Sequence, residues 1–264
     1  MTVPTPGVPN WVDLGTADLA DATRFYTGLF GWTAHVSGDD YGGYTVFNLS
    51  GRQVAGAGPL FGEGQPTAWS TYIATSDADA VTTRVEAADG KVLVPPFDVM
   101  EQGRMAVFLD RAGASFSVWE PGTMAGAEIF DSPGALTWTE LTTRDVEGSK
   151  SFYRAVFGWT ARESPIGDAL YLVWEQDGQP IAGIQPMDGP GWPDDLSPHW
   201  MIYFAVRDCD ESAALARSLG GRVIGGPENF SMGRYAVIAD PQGGTFSILA
   251  ASGSAPREDP DRPQ

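Results

Sequence analysis

The sequence predicts an α+β fold in which one domain occurs twice in tandem, and each copy is a pair of βαβββ units forming a curled mixed sheet. The first observation is a repeat. The segments that begin at Trp11 and Trp138 match without gaps at 18 of 50 positions, far more than chance gives. The second observation is the order of patterns inside each copy, where each of two helix patterns is followed by three short strand patterns.

The elements of the first copy are predicted from residue periodicity. One helix begins after the capping residue Asp18, carries an apolar stripe at helical spacing and ends at Gly31, and a second is expected over residues 77–88. The predicted strands cover residues 10–16, 32–36, 44–51, 53–60, 69–74, 91–99, 103–110 and 114–121. The second copy repeats this order.

The repeat also sets the predicted domain boundaries. We expect a first domain over residues 8–122, a linker over 123–134, a second domain over 135–251 and a disordered tail over 252–264. The tail is rich in proline and charge and has no apolar periodicity, as is typical of disordered segments. The two copies are expected to pair within the chain, giving a monomer or a weak homodimer.

Composition restricts the classes of partner. The chain has 34 acidic and 16 basic residues, a net charge of −18 that repels nucleic-acid phosphates and anionic lipids. Neither nucleic-acid binding nor membrane binding is therefore expected. Cys209 is the single cysteine, which excludes an internal disulfide framework and a cysteine-rich metal site. The first residues show no basic cluster or apolar run of a signal peptide, so a cytoplasmic location is expected.

Two motifs recur in order in both copies. The pattern D-x-x-x-x-x-x-F-Y-x-x-x-F-G-W begins at Asp18 and at Asp145, and D-P-x-G-x-x-F begins at Asp240 with a related segment at Asp110. Together with the paired βαβββ units, these motifs resemble the vicinal oxygen chelate superfamily of glyoxalases, bleomycin-resistance proteins and extradiol dioxygenases. The two-copy form is similar to tandem glyoxalase-like proteins often labelled hydroxylases. The resemblance implies cup-shaped domains, and it is specific for fold rather than for reaction.

The resemblance also implies where metal ligands would lie, on the first and last strands of the units. Carried over by spacing, these positions are Trp11, Ser70, Ser117, Trp138, Met201 and Ser247. Divalent iron, nickel or zinc needs three or four imidazole or carboxylate donors, and none stands at these positions. The two histidines, His35 and His199, are not at matching positions in the repeat. We therefore predict no bound metal and no cofactor.

Aromatic residues at these positions predict an apolar cup with one carboxylate in each copy. Asp13 shares a strand face with Trp11, and Glu140 shares one with Trp138, because side chains at i and i+2 point the same way. Partial burial would raise the pKa of both carboxylates towards that of a general base; alternatively they lie solvated at the rim or pair with an arginine. The candidate ligand-binding residues are Trp11, Phe47, Trp69, Tyr72, Arg104, Ser117, Trp138, Trp174, His199, Tyr203, Arg234 and Ser247. For the paired aromatic residues among them (Phe47 and Trp174, Trp69, Tyr72 and Tyr203) the alternative is a place between the two domains, and for the two arginines it is pairing with an acid.

Three functions remain open on these grounds. The favoured one is a metal-free protein that holds a small organic molecule, such as a natural product or an antibiotic, in an aromatic cup. The alternative is a metal-independent isomerase, lyase, cyclase or hydrolase with Asp13 or Glu140 as general base. A metal-dependent glyoxalase or dioxygenase is disfavoured because the ligand positions lack donors. A small organic molecule is the one partner expected in all three cases.

Overall fold

The computed structural model of the protein describes residues 4–38, 42–60, 62, 64–166, 169–188 and 191–252. It confirms the predicted α+β class, with two eight-stranded mixed sheets and four helices in the same order in both copies. The first copy comprises β1 (Pro9–Thr16), α1 (Leu19–Phe30), β2 (Thr33–Val36), β3 (Thr45–Leu49), β4 (Arg52–Pro59), β5 (Ala68–Ala74), α2 (Ala78–Ala87), β6 (Lys91–Val99), β7 (Gly103–Leu109) and β8 (Ser115–Pro121). The second comprises β9 (Leu136–Thr143), α3 (Val146–Phe157), β10 (Thr160–Ile166), β11 (Ala169–Gln176), β12 (Gln179–Pro186), β13 (His199–Ala205), α4 (Cys209–Ser218), β14 (Arg222–Phe230), β15 (Gly233–Ala239) and β16 (Thr245–Ala251).

Each sheet consists of two βαβββ units that meet at their first strands. The first sheet has the order β2-β3-β4-β1-β5-β8-β7-β6, with β1 and β5 antiparallel at its centre. β4 and β8 flank this central pair in parallel orientation. The second sheet has the same order of equivalent strands. Residues on the first strand of each copy are therefore in the middle of a sheet, surrounded by other strands.

The ends of the first helix in each copy follow the predicted capping residues. The Asp18 side chain accepts a hydrogen bond from the backbone N–H of Asp21, and Gly31 ends α1 in the left-handed conformation with φ 69°. In α3 the same roles belong to Asp145 and Gly158. Glycine suits this C-terminal position because residues with a Cβ rarely adopt a left-handed conformation.

The two large hydrophobic cores each combine one unit from both copies. One core packs α1 and the strands around it against α4 and the last strands of the second copy. The other packs α2 and β8 of the first copy against α3 and the strands around it. The helix-covered faces of the two sheets therefore bury each other, and neither copy has a complete core of its own.

Reciprocal hydrogen bonds lie inside these shared cores. The Tyr26 hydroxyl of α1 donates to Asp240 Oδ2 in the second copy at 2.9 Å. The Tyr153 hydroxyl of α3 donates to Asp110 Oδ2 in the first copy at 3.2 Å. The tyrosine of the F-Y pair and the aspartate of the D-x-x-G turn, both repeated in the sequence, are thus partners across the two copies.

The tryptophans of the two F-G-W motifs connect the copies in the same reciprocal way. The Trp32 indole N–H donates to the carbonyl oxygen of Gly134, just before β9, at 2.7 Å. The Trp159 indole N–H donates to the carbonyl oxygen of Gly7, just before β1, at 2.7 Å. Each tryptophan therefore fixes the segment that leads into the first strand of the other copy.

Two further sequence expectations concern the rest of the chain. Among the residues that the structure describes, no helix is both long and apolar enough to cross a membrane. The predicted disordered tail lies outside the described residues, apart from Ser252.

Replacing Tyr26 with Phe tests the tyrosine–aspartate hydrogen bonds that connect the two copies inside the shared cores. Asp240 then loses a buried donor and the Trp69 indole N–H loses its acceptor, the Tyr26 hydroxyl. We expect the free energy of unfolding of the full chain, measured with denaturant, to fall by about 1–3 kcal/mol. In a double-mutant cycle with Asp240→Asn, the coupling energy should exceed about 0.5 kcal/mol, whereas additive effects would contradict a direct pair.

Candidate functional site

Alternation along the first strand of each copy places the predicted carboxylates in cavities. Val12 and Leu14 of β1 point into a shared core. Trp11 and Asp13, on the opposite face of the same strand, border a cavity of about 710 Å³, here called the first cup. Glu140 of β9 borders a cavity of about 840 Å³, here called the second cup. Both volumes are in the range of small-molecule sites.

A hydrogen-bonded network surrounds the carboxylate of the first cup. Asp13 Oδ2 accepts hydrogen bonds from the Tyr72 hydroxyl at 2.9 Å and from the Tyr44 hydroxyl at 3.2 Å. The Trp11 indole N–H in turn donates to the Tyr44 hydroxyl at 3.1 Å. Both tyrosines use the same carboxylate oxygen, so Oδ1 makes no hydrogen bond to a described residue while Asp13 borders the cavity.

The network depends on a glycine in the neighbouring strand. Gly56 of β4 pairs with Asp13 of β1, and an added Cβ at Gly56 would lie 1.8 Å from the Tyr44 hydroxyl oxygen. No side chain larger than hydrogen fits there unless Tyr44 leaves the carboxylate. Gly56, which recurs in the repeat as Gly183, therefore leaves the space that the Tyr44 ring occupies on this face of the sheet.

In the second copy the members of this network recur. Glu140 Oε1 accepts a hydrogen bond from the Tyr203 hydroxyl at 2.9 Å, and the Trp138 indole N–H donates to the Tyr171 hydroxyl at 2.9 Å. An added Cβ at Gly183, which pairs with Glu140, would lie 2.0 Å from the Tyr171 hydroxyl oxygen. The two cups therefore share one constellation of a carboxylate, two tyrosines, a tryptophan and a glycine.

Burial determines the ionisation of both networks. It raises the pKa of Asp13 from 3.8 to about 6, although the hydrogen bonds from Tyr72 and Tyr44 act in the opposite direction. Burial also raises the pKa of Glu140, again opposed by its two tyrosines. The pKa values of the four tyrosines are raised by burial first and by the carboxylate charge second, so the hydroxyls stay protonated donors. Each cup thus holds a carboxylate that is more basic than an exposed one.

The walls of the two cups differ. In the first cup Trp11, Tyr72, Met105 and Trp119 pack together as a small hydrophobic cluster, here called the first floor. The larger second cup has more aromatic side chains on its lining, and residues 67–69 of the first copy, around the start of β5, also border it. Its large side chains include Trp138, Tyr171, Trp192, Tyr203, Phe230, Tyr235, Ile224 and Leu249.

An insertion found in the second copy borders the second cup. Trp192, Pro193 and Leu196 of this segment line the cavity. The Arg144 guanidinium donates to the carbonyl oxygen of Pro193 at 2.6 Å and to that of Met187 at 3.3 Å. The first copy is four residues shorter here, so this wall is specific to the second cup.

Strand register identifies the positions that correspond to the implied metal ligands of the first cup. Trp11 of β1 lies opposite Tyr72 of β5, which lies beside Ser117 of β8. Ser70, the β5 position given by sequence spacing, instead lies opposite Asp13. The strand register therefore assigns the implied ligand position of β5 to Tyr72, two residues after the serine that sequence spacing gave.

The same register in the second cup groups Trp138, Tyr203 and Ser247, whereas Met201 lies opposite Glu140. An indole N–H has no lone pair for a metal ion, and the Tyr203 hydroxyl donates its proton to Glu140. Within the described ranges, no three His, Cys, Asp or Glu side chains come together. These donor sets do not fit a divalent metal ion of the kind that the fold family implies.

Three aromatic residues predicted to bind ligand belong to the cores instead. Phe47 and Trp174 are fully buried on the helix side of their strands, so assigning them to the cups was wrong. Trp69 also packs in a core, where its indole N–H donates to Tyr26, although its edge borders the second cup. Periodicity shows which residues share a face but not which face meets the helices.

The two predicted ligand-binding arginines are paired with acids and do not line the cups. Arg104 pairs with Asp79 and Asp98 at distances of 2.8–3.2 Å. Arg234 pairs with both carboxylate oxygens of Asp210 at 2.6 and 2.9 Å. Neither arginine is among the cup-lining residues, so this part of the site prediction was wrong. The excess of acids in the chain makes such pairing the expected outcome.

The remaining predicted residues divide between cup and wall. Tyr72 and Tyr203 bind the carboxylates as described above. His199 borders the second cup, where its Nδ1 lies 2.9 Å from the carbonyl oxygen of Ser197. Ser247 also borders the second cup, whereas Ser117 is buried beside Tyr72 and does not line the first.

Tyr44, Tyr171, Gly56 and Gly183 are site residues that the sequence prediction missed. Each tyrosine and each glycine has its counterpart 127 residues away, the same separation as Trp11 and Trp138. That shared separation, within segments predicted as strands, is the signal that could have identified them.

Both copies match known protein families. Residues 8–118 match the Glyoxalase/Bleomycin resistance protein/Dioxygenase superfamily, and residues 138–249 match a Glyoxalase-like domain. A relative is the anthracycline biosynthesis protein DnrV of Streptomyces peucetius, 42% identical over 94% of this chain and 95% of that protein. Another is the putative glyoxylase CFP32 of Mycobacterium bovis, 40% identical over 92% of this chain and 94% of that protein.

Solved structures resemble the whole chain. The Mn(II)-bound glyoxalase from Novosphingobium aromaticivorans has a TM-score of 0.64 at 18% identity, covering 93% of this chain and 82% of that one. The 2,3-dioxygenase LapB from Pseudomonas sp. KL28 has a TM-score of 0.62 at 14% identity, covering 94% of both chains. Such identities establish the fold alone. From the family matches and the similar sequences, the chain belongs to the glyoxalase/bleomycin resistance protein/dioxygenase superfamily and carries two of its domains in tandem.

Proposed function

We propose that the protein binds an organic molecule of natural-product size in the second cup without a metal ion. The observation that carries this proposal is the donor set at the implied ligand positions. Trp138, Tyr203 and Ser247 stand there, and the Tyr203 hydroxyl is already committed to Glu140. If no metal ion is bound there, the whole cavity is available to an organic ligand.

The wall of the second cup suits a planar aromatic guest. Its cavity of about 840 Å³ is lined by indole, phenol and aliphatic side chains, and Glu140 is its one described carboxylate. Aromatic side chains favour stacked or edge-on contact with flat rings, and a few polar groups such as Glu140 and His199 fix the orientation of the ligand. Two relatives, DnrV and DauV, are named for biosynthesis of anthracyclines, which are compounds with fused planar rings. These names support the same class of ligand for this chain.

A second candidate function is a metal-independent proton-transfer enzyme at the same site. It is favoured by the buried Glu140, whose pKa burial raises, and by two tyrosine hydroxyls beside it. A carboxylate of this kind can remove a proton from a bound compound, while a neighbouring phenol donates a hydrogen bond to the oxygen that gains charge. We rank this function below binding.

Replacing Trp192 with Ala tests binding in the second cup. The probe is 1,8-dihydroxyanthraquinone, titrated against the full chain in EDTA buffer and followed by fluorescence. Loss of the indole wall should weaken binding about tenfold, because a buried aromatic contact contributes on the order of 1–2 kcal/mol. Phe97→Ala in the first cup is the matched control and should leave the affinity within about twofold. No binding in EDTA, or equal losses in both variants, would contradict the proposal.

Replacing Glu140 with Gln separates the two candidate functions. The amide keeps the shape and can still accept the Tyr203 hydrogen bond, but it cannot act as a base. If the protein is a binder, the probe is recovered unchanged from the wild type and the variant binds it. If it is an enzyme, the wild type converts a hydroxyanthraquinone substrate and the variant's rate falls about 10²- to 10⁴-fold. Product analysis by mass spectrometry distinguishes these outcomes.

A further inference from the structure

We propose that the first cup is a separate binding site for an organic ammonium ion, held by the Asp13 carboxylate above the first floor. This proposal concerns the other cup and stands independently of the function proposed for the second. It follows from the charge of the cavity, from its floor and from the differences between the two copies.

Within the described residues, Asp13 has no Lys or Arg partner, and His35 is the one histidine that lines its cavity. Asp13 takes part in none of the ion pairs of the described residues, and no Lys or Arg side chain among those residues lines the first cup. The two tyrosine hydroxyls bind Oδ2 and leave Oδ1 to the cavity. A partly buried carboxylate without a counter-charge is unfavourable, and a bound cation would relieve that cost.

The floor beneath this carboxylate suits an alkylated ammonium group. Trp11, Tyr72 and Trp119 are each at most 5% exposed and line the cavity. Aromatic rings attract cations through their negative faces, and indole does so most strongly. Met100, Met105 and Met124 also line the cup and offer polarisable, adaptable surface for the carbon part of such a ligand. A small, strongly hydrated metal cation would gain less from these walls.

The two copies differ at the residues that this ligand would use. Trp119 on β8 and Met105 on β7 pair in the first floor. Their counterparts in the second copy are Leu249 and Tyr235. The first cup therefore has a second indole where the second cup has an aliphatic side chain.

The acids around the two cups also lie at different positions. Asp98 lines the first cup and shares Arg104 with Asp79, so two acids face one arginine. In the second copy the equivalent arginine, Arg234, pairs with one acid and with the neutral Asn229. The described lining of the first cup thus has two carboxylates, Asp13 and Asp98, and that of the second has Glu140, although Glu228 interacts with Tyr235 beside the second cup. A negatively charged lining attracts a cation.

The test compares benzyltrimethylammonium with its neutral isostere 2,2-dimethylpropylbenzene, using ligand-observed NMR on the full chain. We expect the cation to bind at one site per chain and at least about tenfold more tightly than the isostere. Asp13→Asn removes the charge but keeps an oxygen for the two tyrosines, and it should weaken cation binding at least about tenfold. Trp119→Leu, which introduces the residue of the second copy, should weaken it about threefold or more.

Glu140→Gln is the matched control, because it removes the equivalent charge from the other cup. It should leave cation affinity within about twofold. The proposal is overturned if the wild type does not bind the cation, if the neutral isostere binds equally well, or if Asp13→Asn has no effect. Loss of cation binding in Glu140→Gln rather than in Asp13→Asn would also overturn it. Binding of 1,8-dihydroxyanthraquinone to the Asp13→Asn protein should be unchanged, because Asp13 lines only the first cup. This measurement therefore tests the function proposed for the second cup separately from cation binding.

Discussion

A glycine beside each buried carboxylate is the constraint on which both cups depend. Gly56 and Gly183 leave space for a tyrosine to cross the neighbouring strand and bring its hydroxyl to the tryptophan of the first strand and to the carboxylate. A second tyrosine approaches from the other side of the first strand. The tyrosine hydroxyls and the indole N–H are thereby used within the protein, and each cavity keeps one basic carboxylate. The chemistry available to each cup follows from this arrangement.

The shared cores explain how the cups keep their shape. The helix-covered face of each sheet is buried against the other copy, so the opposite face is the one left to form a cup. Tyr26 and Asp240, with their counterparts Tyr153 and Asp110, connect the copies inside those cores. The first strand of each copy has one side in this packed interior and the other in a cavity. The carboxylates are therefore positioned by packing that involves the whole chain.

Much of the fold could be predicted from the sequence, because its signals are local. The repeat, the order of elements and the caps Asp18 and Gly31 depend on residues close together in the chain. The shared face of Asp13 and Trp11 also follows from strand geometry alone. Phe47 and Trp174 were misplaced because the direction of a face depends on what packs against it, and here the other copy does. Tyr44 was missed because strand pairing brings it to Asp13 from 31 positions along the chain.

The proposal of cups without a metal ion rests on tyrosine hydroxyls that hold each carboxylate, one of which accepts a hydrogen bond from an indole N–H in turn. Elemental analysis tests it most directly: the full chain is equilibrated with excess Mn²⁺, Fe²⁺, Ni²⁺ and Zn²⁺, desalted and measured by plasma mass spectrometry. We expect less than about 0.1 ion per chain, because the cups lack the three or four donors that tight binding needs. One or two ions per chain, lost in the Asp13→Asn or Glu140→Gln protein, would contradict it.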